Sequence, residues 1–469
     1  MIDLHFIDWL ILGVYFTGII WVGFFRSRVD SASEETFILA GRKLSLPGFI
    51  ATLVTTWYGA ILGVGENTYL YGIQTWFIFG LPYYVFAAGY ASWAAPRIQQ
   101  AKMISIPDHF RFHFGEGSGI ISALLLVFLT SPAPYILSMG VLIQSMFQIE
   151  FGLSLLISTV FSVIYVWNGG FLAVIKTDMI QFLLMFLGFL LLVIFSWIDF
   201  GSPAALYQSL PELHRDPLGG NSVQYVLVWF FIAVWTMVDP GFYQRCAAAK
   251  SPEIARKGLF ISIGFWCLFD FLTVLSGLYA VMAIQTDNAL FAFPLLGVKV
   301  LPVGILGLFI TGIFATIMST IDSFSLISAI TFGRDILWRI QGPKSQTNSI
   351  PLVKKGLVII SFIALFLAFA VPSVVRLFYT LGSVLIPGLI FPFLYTLSGQ
   401  AGILRGSAGK IWILLPVLLS MGWLFLSITI NKSLLGIEPF YPGFLLSIFL
   451  GLYLQKYTSQ KKQKGPAPH

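Results

Sequence analysis

The chain has 469 residues, of which 57% are hydrophobic and only 10% charged, with a net charge of +7 and a mean hydropathy of +0.88. An ordinary soluble domain carries about 25% charged residues, so that class is excluded. Apolar runs of about 20 residues, enough to cross a hydrocarbon core of ~30 Å, recur throughout, without the short alternating segments of a barrel. The chain reads as an all-α polytopic membrane protein with about thirteen spans, centred near residues 16, 58, 85, 132, 160, 185, 234, 270, 318, 362, 387, 420 and 448.

The first apolar stretch, "IDWLILGVYFTGIIWVGFF" (7–25), lacks a basic leader and a small-residue cleavage site, and its positive charges, Arg26 and Arg28, follow it. It is expected to be a retained helix with its N-terminus outside. Of the 27 Lys and Arg, only Arg215, Lys299, Arg376 and Lys432 fall on the outer side under that topology. The rest lie in short inner loops such as "PRIQQAKMISIPDHFRFHFGEGSG" and "QRCAAAKSPEIARKG", or in the tail. This asymmetry predicts a plasma (inner) membrane protein with a cytoplasmic C-terminus. The basic balance then needs no nucleic acid; the lipid bilayer is partner enough. Cys246 and Cys267 lie in or beside spans, which argues against a disulfide framework. The loops 199–221 and 285–302 are the longest outer ones, and the tail "KYTSQKKQKGPAPH" is expected to be disordered.

The span "PGFIATLVTTWYGAILGVGENTYLYG" (47–72) carries Thr52, Thr55 and Thr56, then Gly59, Gly63 and Gly65, then Glu66. Glycine and β-branched residues at mid-span weaken a helix, and unwound backbone at that depth is tolerated only inside protein or along a cavity. "WNGGF" (167–171) supplies two glycines for a hairpin. In "TMVDPGFYQR" (236–245), Pro240 and Gly241 should break a helix just after Asp239. In "KSPEIARKG" (250–258), Ser251 and Pro252 read as N-cap and first helical position. At 1.5 Å per residue, Thr55–Tyr58, Trp235, Asp270 and Ser319 all reach similar depth, about 14–23 Å from the inner ends of their spans. His109 and His113, four apart in an inner loop beside Asp108, do not make a metal site. No metal-hydrolase or serine-hydrolase motif is present, so no catalytic residues are assigned.

Three stretches, "GGFLAVIKTDMIQFLLMFLG" (169–188), "QRCAAAKSPEIARKG" (244–258) and "ATIMSTIDSFSLIS" (315–328), together with "LAGRKL" (39–44), resemble the sodium:solute symporter family in order and spacing. The family includes proline, pantothenate, sugar, iodide and sialic-acid transporters. The resemblance implies the leucine-transporter fold: inverted repeats of five helices over 46–198 and 222–398, joined by the outer loop 199–221. A peripheral N-terminal segment (1–45) precedes them and two peripheral helices with a basic tail (399–469) follow. It also implies Na+ as coupling ion, held by the carbonyls of Thr55, Tyr58 and Thr316 and the hydroxyls of Ser319 and Thr320. Hard cations prefer oxygen ligands, so the set is chemically sensible. Read without the resemblance, Ser319 and Thr320 bond back to their own helix.

Asp178, in "KTDMIQ", is either paired with Lys176 at the interface or, as the resemblance implies, on the ion release route. Asp322 is either an ion-coupling acid or a bond to a neighbouring helix. Trp57, Gly59 and Trp235 are placed at a substrate pocket, Trp235 as a gate on its inner side; Asp239, Asp270 and Glu66 are candidate polar groups there. Each has a blander alternative: packing for the tryptophans, a solvated vestibule acid for Glu66. With no Arg or Lys at mid-depth, the solute is expected to be a small organic molecule, neutral, zwitterionic or cationic rather than anionic. The function expected is sodium-coupled import of that solute by alternating access. The rivals are proton coupling through Asp322, Asp270 or Glu66, and a transporter-derived sensor without net flux.

Overall fold

The computed structural model describes residues 4–25, 33–342, 348–371, 373–398, 404, 406–430 and 434–463. These residues form helices joined by short connections, with one isolated parallel bridge, Leu44 to Ala249. Nine helical segments are long and apolar enough to cross a membrane, and four shorter helices are apolar. The expected spans are not all continuous. The one near residue 58 is split into Leu46–Thr55 and Ile61–Tyr71, and the one near 85 is interrupted by a π turn, Tyr90–Ala94.

The Ile305–Ile330 helix is buried on every face, polar groups included, as a central core helix must be. Its most extensive partner is the long Phe151–Phe200 run. The two backbones meet closely at Gly312, where a Cβ would stand 2.8 Å from the Leu184 carbonyl oxygen, so only glycine permits this approach. The Ile350–Ala370 and Ser407–Thr429 helices instead expose Phe362, Phe366, Phe369 and Phe425, the signature of lipid-facing elements.

Local chemistry explains several boundaries. Asp239 leaves helical geometry and its side chain accepts from the Phe242 N–H, starting the Pro240–Ala248 helix where Pro240 forbids continuation. Ser251 caps Pro252–Ala283 through the Ile254 N–H. The first helix, Phe6–Ile20, is tied to the core by Asp8: its Oδ1 accepts from the N–H groups of Gly304 (2.7 Å) and Gly307 (2.8 Å).

At "WNGGF" the two helices of the Phe151–Phe200 run meet at a kink where Gly170 takes φ 53° and ψ −143°, left-handed backbone that glycine allows, in line with the expected turn between two spans. Three details differ from the sequence expectation. The outer loops fold into short helices, Pro203–Ser209, Glu212–Arg215 and Ala292–Val300. Residues 456–463 of the tail extend the Phe440–Gln463 helix, while 464–469 lie outside the described residues, as does Lys432. His109 and His113 are on a helix, Ile106–Phe114, because Ser105 and Pro107 start one there.

His109 packs between Tyr243, whose Oη is 3.0 Å from Nε2, and the ring of Phe393. Burial, and then the neighbouring His113, push its pKa from 6.5 down to about 3. The unfolded chain therefore takes up a proton below about 6.5 that the folded chain refuses, and stability falls as the pH drops from there toward 3. The expected loss between pH 7 and pH 5 is on the order of 1–2 kcal/mol. Melting temperature against pH checks this, and His109→Gln should flatten the acid limb.

Candidate functional site

The break between Leu46–Thr55 and Ile61–Tyr71 lies directly against the middle of the Ile305–Ile330 helix. Thr320 Oγ1 is 3.0 Å from the Thr56 carbonyl oxygen, 3.5 Å from that of Thr55 and 3.3 Å from that of Thr316. Among the described residues, neither the Thr55 nor the Thr56 carbonyl receives a backbone N–H. The Tyr58 carbonyl accepts from the Ile61 N–H at 3.0 Å and keeps a second lone pair. Ser319, one residue earlier, donates to Asp178 Oδ1 at 2.6 Å. Thr55, Thr316, Ser319 and Thr320 are all fully buried. Several uncharged oxygens, two of them carbonyls freed by the break, thus gather beside one carboxylate, and this donor set fits a hard monovalent cation.

Gly59 lets the break approach. A Cβ there would stand 2.4 Å from Thr320 Cβ and 2.6 Å from its Oγ1. Gly59→Ala must push the break away from Thr320, and the expected cost is about 1–3 kcal/mol of stability. A melting measurement on the purified variant tests this; Gly264→Ala, where an added Cβ meets nothing within 4 Å, serves as the control.

Asp178 is not paired with Lys176 as a salt bridge; it is fully buried and also accepts from Thr52 Oγ1. That hydroxyl in turn accepts from Arg245, whose terminal nitrogen reaches Thr52 (3.0 Å), Thr56 (2.9 Å) and Ser323 (2.7 Å). Arg245 is fully buried, with its guanidinium 5.0 Å from the Phe171 ring. The expectation of no mid-span Arg or Lys is therefore wrong. Arg245 reads as the inner end of a span in sequence, but the helix break at Asp239 directs it back among the mid-span hydroxyls. Its position five residues after Pro240, in a helix otherwise free of surface charge, was the signal available.

Beyond the break lies a cavity whose void, mouth included, is about 940 Å3. Trp57, Tyr58, Trp235, Asp239 and Asp270 line it. Its floor toward the basic loops is closed by packed rings: Trp57 stands 5.5 Å from both Phe242 and Trp266. Trp235 lies at the side, 6.2 Å from Phe378. Asp270 accepts from Tyr58 Oη (2.8 Å) and from Tyr84 Oη.

Two expected pocket residues lie elsewhere. Gly59 faces Thr320 rather than the lining, and Glu66 is half-buried on the Ile61–Tyr71 helix outside it. A span's pocket face is not legible where its axis is broken, because the two halves are no longer in one helical register. Asp322 is fully buried on the central helix and does not line the cavity either. Tyr84 was not foreseen; its spacing to Asp270, across two spans, has no sequence signal.

The family model described as the sodium:solute symporter family matches residues 37–399. Sodium/proline symporter 2 of Staphylococcus saprophyticus is 23% identical, with 96% of this chain and 93% of that protein aligned. The osmoregulated proline transporter OpuE of Bacillus subtilis is 24% identical over 96% and 94%. A Na+-coupled sialic acid symporter, solved in a substrate-bound outward-open state, superposes with a TM-score of 0.80 at 17% identity, covering 97% of this chain and 98% of that one. At that identity the likeness speaks for the leucine-transporter-type fold alone. With most of its length matched by the family model, the chain is a member of the sodium:solute symporter family, a multi-pass membrane transporter that couples solute movement to Na+.

Proposed function

We propose that this chain imports a small organic solute together with Na+ by alternating access, with the N-terminus outside. The observation that carries the reading is the Thr320 hydroxyl set against the freed carbonyls of the break, across Gly59. Sodium binds there through the carbonyls of Thr55, Tyr58 and Thr316 and the hydroxyls of Ser319 and Thr320. Asp178, bonded to Ser319, supplies the negative charge beside the site and lies on the route by which the ion leaves. Solute occupies the aromatic cavity above Trp57. Residues 46–198 and 222–398 act as two halves; in support, each begins with a broken helix, Leu46–Tyr71 and Val223–Ala248. Rocking of one half against the other opens the floor formed by Trp57, Phe242 and Trp266. The membrane potential adds about 2.3 kcal/mol per charge at 100 mV.

The test needs no solute. A ligand bound only by the folded state stabilises it by RT ln(1 + [L]/Kd), about 2.7 kcal/mol at 100 mM for a Kd of about 1 mM. The melting temperature in sodium should exceed that in equal potassium, and Ser319→Ala/Thr320→Ala should lose the difference. Equal melting of the wild-type protein in both salts would reject the site.

A further inference from the structure

Of the sixteen residues lining the cavity, nine are aromatic, two are the carboxylates Asp239 and Asp270, and none is Lys, Arg or His. The two carboxylates have different duties. Asp239 Oδ1 caps the Pro240–Ala248 helix through the Phe242 N–H at 2.9 Å. Asp270 caps nothing. It is 7% exposed, at the middle of Pro252–Ala283, and its two oxygens accept from the neutral hydroxyls of Tyr58 and Tyr84. No Lys, Arg or His among the described residues forms an ion pair with it. The buried cation nearby, Arg245, is turned to the hydroxyls of Thr52, Thr56 and Ser323 and does not line the cavity.

A buried carboxylate without a cationic partner is costly, and the cost falls when a cation joins it. The surrounding rings favour the same occupant, because the faces of Trp, Tyr and Phe are negative and attract a cation within about 6 Å. An anion would meet two carboxylates and ring faces of its own sign. A polyhydroxylated neutral solute would find few polar partners along an aromatic wall.

We propose that the solute bears a positively charged nitrogen, seated against Asp270 and the aromatic rings of the cavity. This rests on the transport reading above and names the solute class for that cavity. Tyr58 joins the two sites: its backbone lies in the break beside Thr320, while its hydroxyl holds Asp270. A cation at Asp270 and an ion at the break are thereby sensed by one residue.

The test compares matched solutes that differ in the charged nitrogen: choline with 3,3-dimethyl-1-butanol, phenethylammonium with 2-phenylethanol, and L-proline with cyclopentanecarboxylate. Binding to purified protein is measured by calorimetry in 100 mM sodium. At least one charged-nitrogen member should bind ten-fold or more tightly than its partner. Asp270→Asn should erase that preference and Asp270→Glu should keep it; if Asp270→Asn does not fold, the wild-type comparison decides. The proposal is overturned if the partners bind as well as the nitrogen compounds, if Asp270→Asn keeps the preference, or if no nitrogen compound binds below about 10 mM. Failure of the transport reading looks different: the wild-type protein then shows no sodium-specific rise in melting temperature, whatever solute is present.

Discussion

Arg245→Ala is expected to be the most damaging single substitution in the core, at about 3–5 kcal/mol, because it leaves Asp178 charged and buried without the cation that reaches it through Thr52. The wild-type side chain has no contact with solvent, and its terminal nitrogen touches hydroxyls on both the Leu46–Thr55 side of the break and the Ile305–Ile330 helix. Losing it also removes the donor to Thr56 and Ser323, whose oxygens are 3.0 Å apart. Arg245→Lys keeps the charge but not the planar fork, so it should recover only part of the loss. Adding Asp178→Asn to Arg245→Ala should restore stability relative to Arg245→Ala alone, since neither charge is then stranded. Thermal melting of the wild type, Arg245→Ala, Arg245→Lys, Asp178→Asn and the double variant tests the scheme; simple additivity of Arg245→Ala and Asp178→Asn would show that Arg245 and Asp178 do not act as a pair.

Asp108→Asn is expected to open the side of the protein that carries the basic loops. Asp108 Oδ1 accepts from Arg111 (2.6 Å) and Arg339 (3.3 Å), while Oδ2 faces Arg334 at 3.0 Å. Arg334 also reaches Glu34 at 2.8 Å, on the Glu34–Leu39 helix that precedes the first broken span. The cluster therefore ties three segments together beneath the closed aromatic floor. Without the carboxylate, three guanidiniums face one another, and a loss of about 1.5–3 kcal/mol corresponds to a ten- to hundred-fold shift toward the open form. Cys246, fully buried beside Arg245, is a native reporter of that opening in a Cys267→Ser background. Its rate of modification by a maleimide should rise at least ten-fold in Asp108→Asn, and an unchanged rate would reject the gate.

The same cluster has a definite acid limit. Burial alone would raise the pKa of Asp108, but Arg334, then Arg111 and Arg339, hold it below the usual carboxylate range. A carboxylate with a depressed folded pKa contributes fully above its unfolded pKa and is lost as the pH falls through the folded one. The Asp108 contacts should thus survive the mildly acidic range in which His109 already weakens the fold, and fail only in stronger acid.

Much of the architecture was legible because it is written locally. Twenty-residue apolar runs, the glycines around residue 59, the Asp239-Pro240-Gly241 break and the Ser251-Pro252 start each act through their own backbone, so no distant residue is needed to read them. The ordered motifs also named the family, and with it the approach of the Thr320 hydroxyl to the Thr55 carbonyl. What remained hidden depends on contacts between residues far apart in the chain. Arg245 reads as an inner-end charge and becomes a buried clamp only when a broken helix carries it to Thr52, Thr56 and Ser323. Asp178 reads either as a partner of Lys176 or as a group on the ion release route, and its bonds to Ser319 and Thr52 could not be read from the sequence; Asp270 reads as a lone acid until Tyr58 and Tyr84 close on it. The sequence by itself determined that the chain is a polytopic bundle of apolar helices and where the helices near residues 58 and 239 fail, because backbone satisfaction in hydrocarbon is a local demand. Only the tertiary structure decided which buried polar groups meet, because each must be satisfied by whatever side chain the packing places beside it.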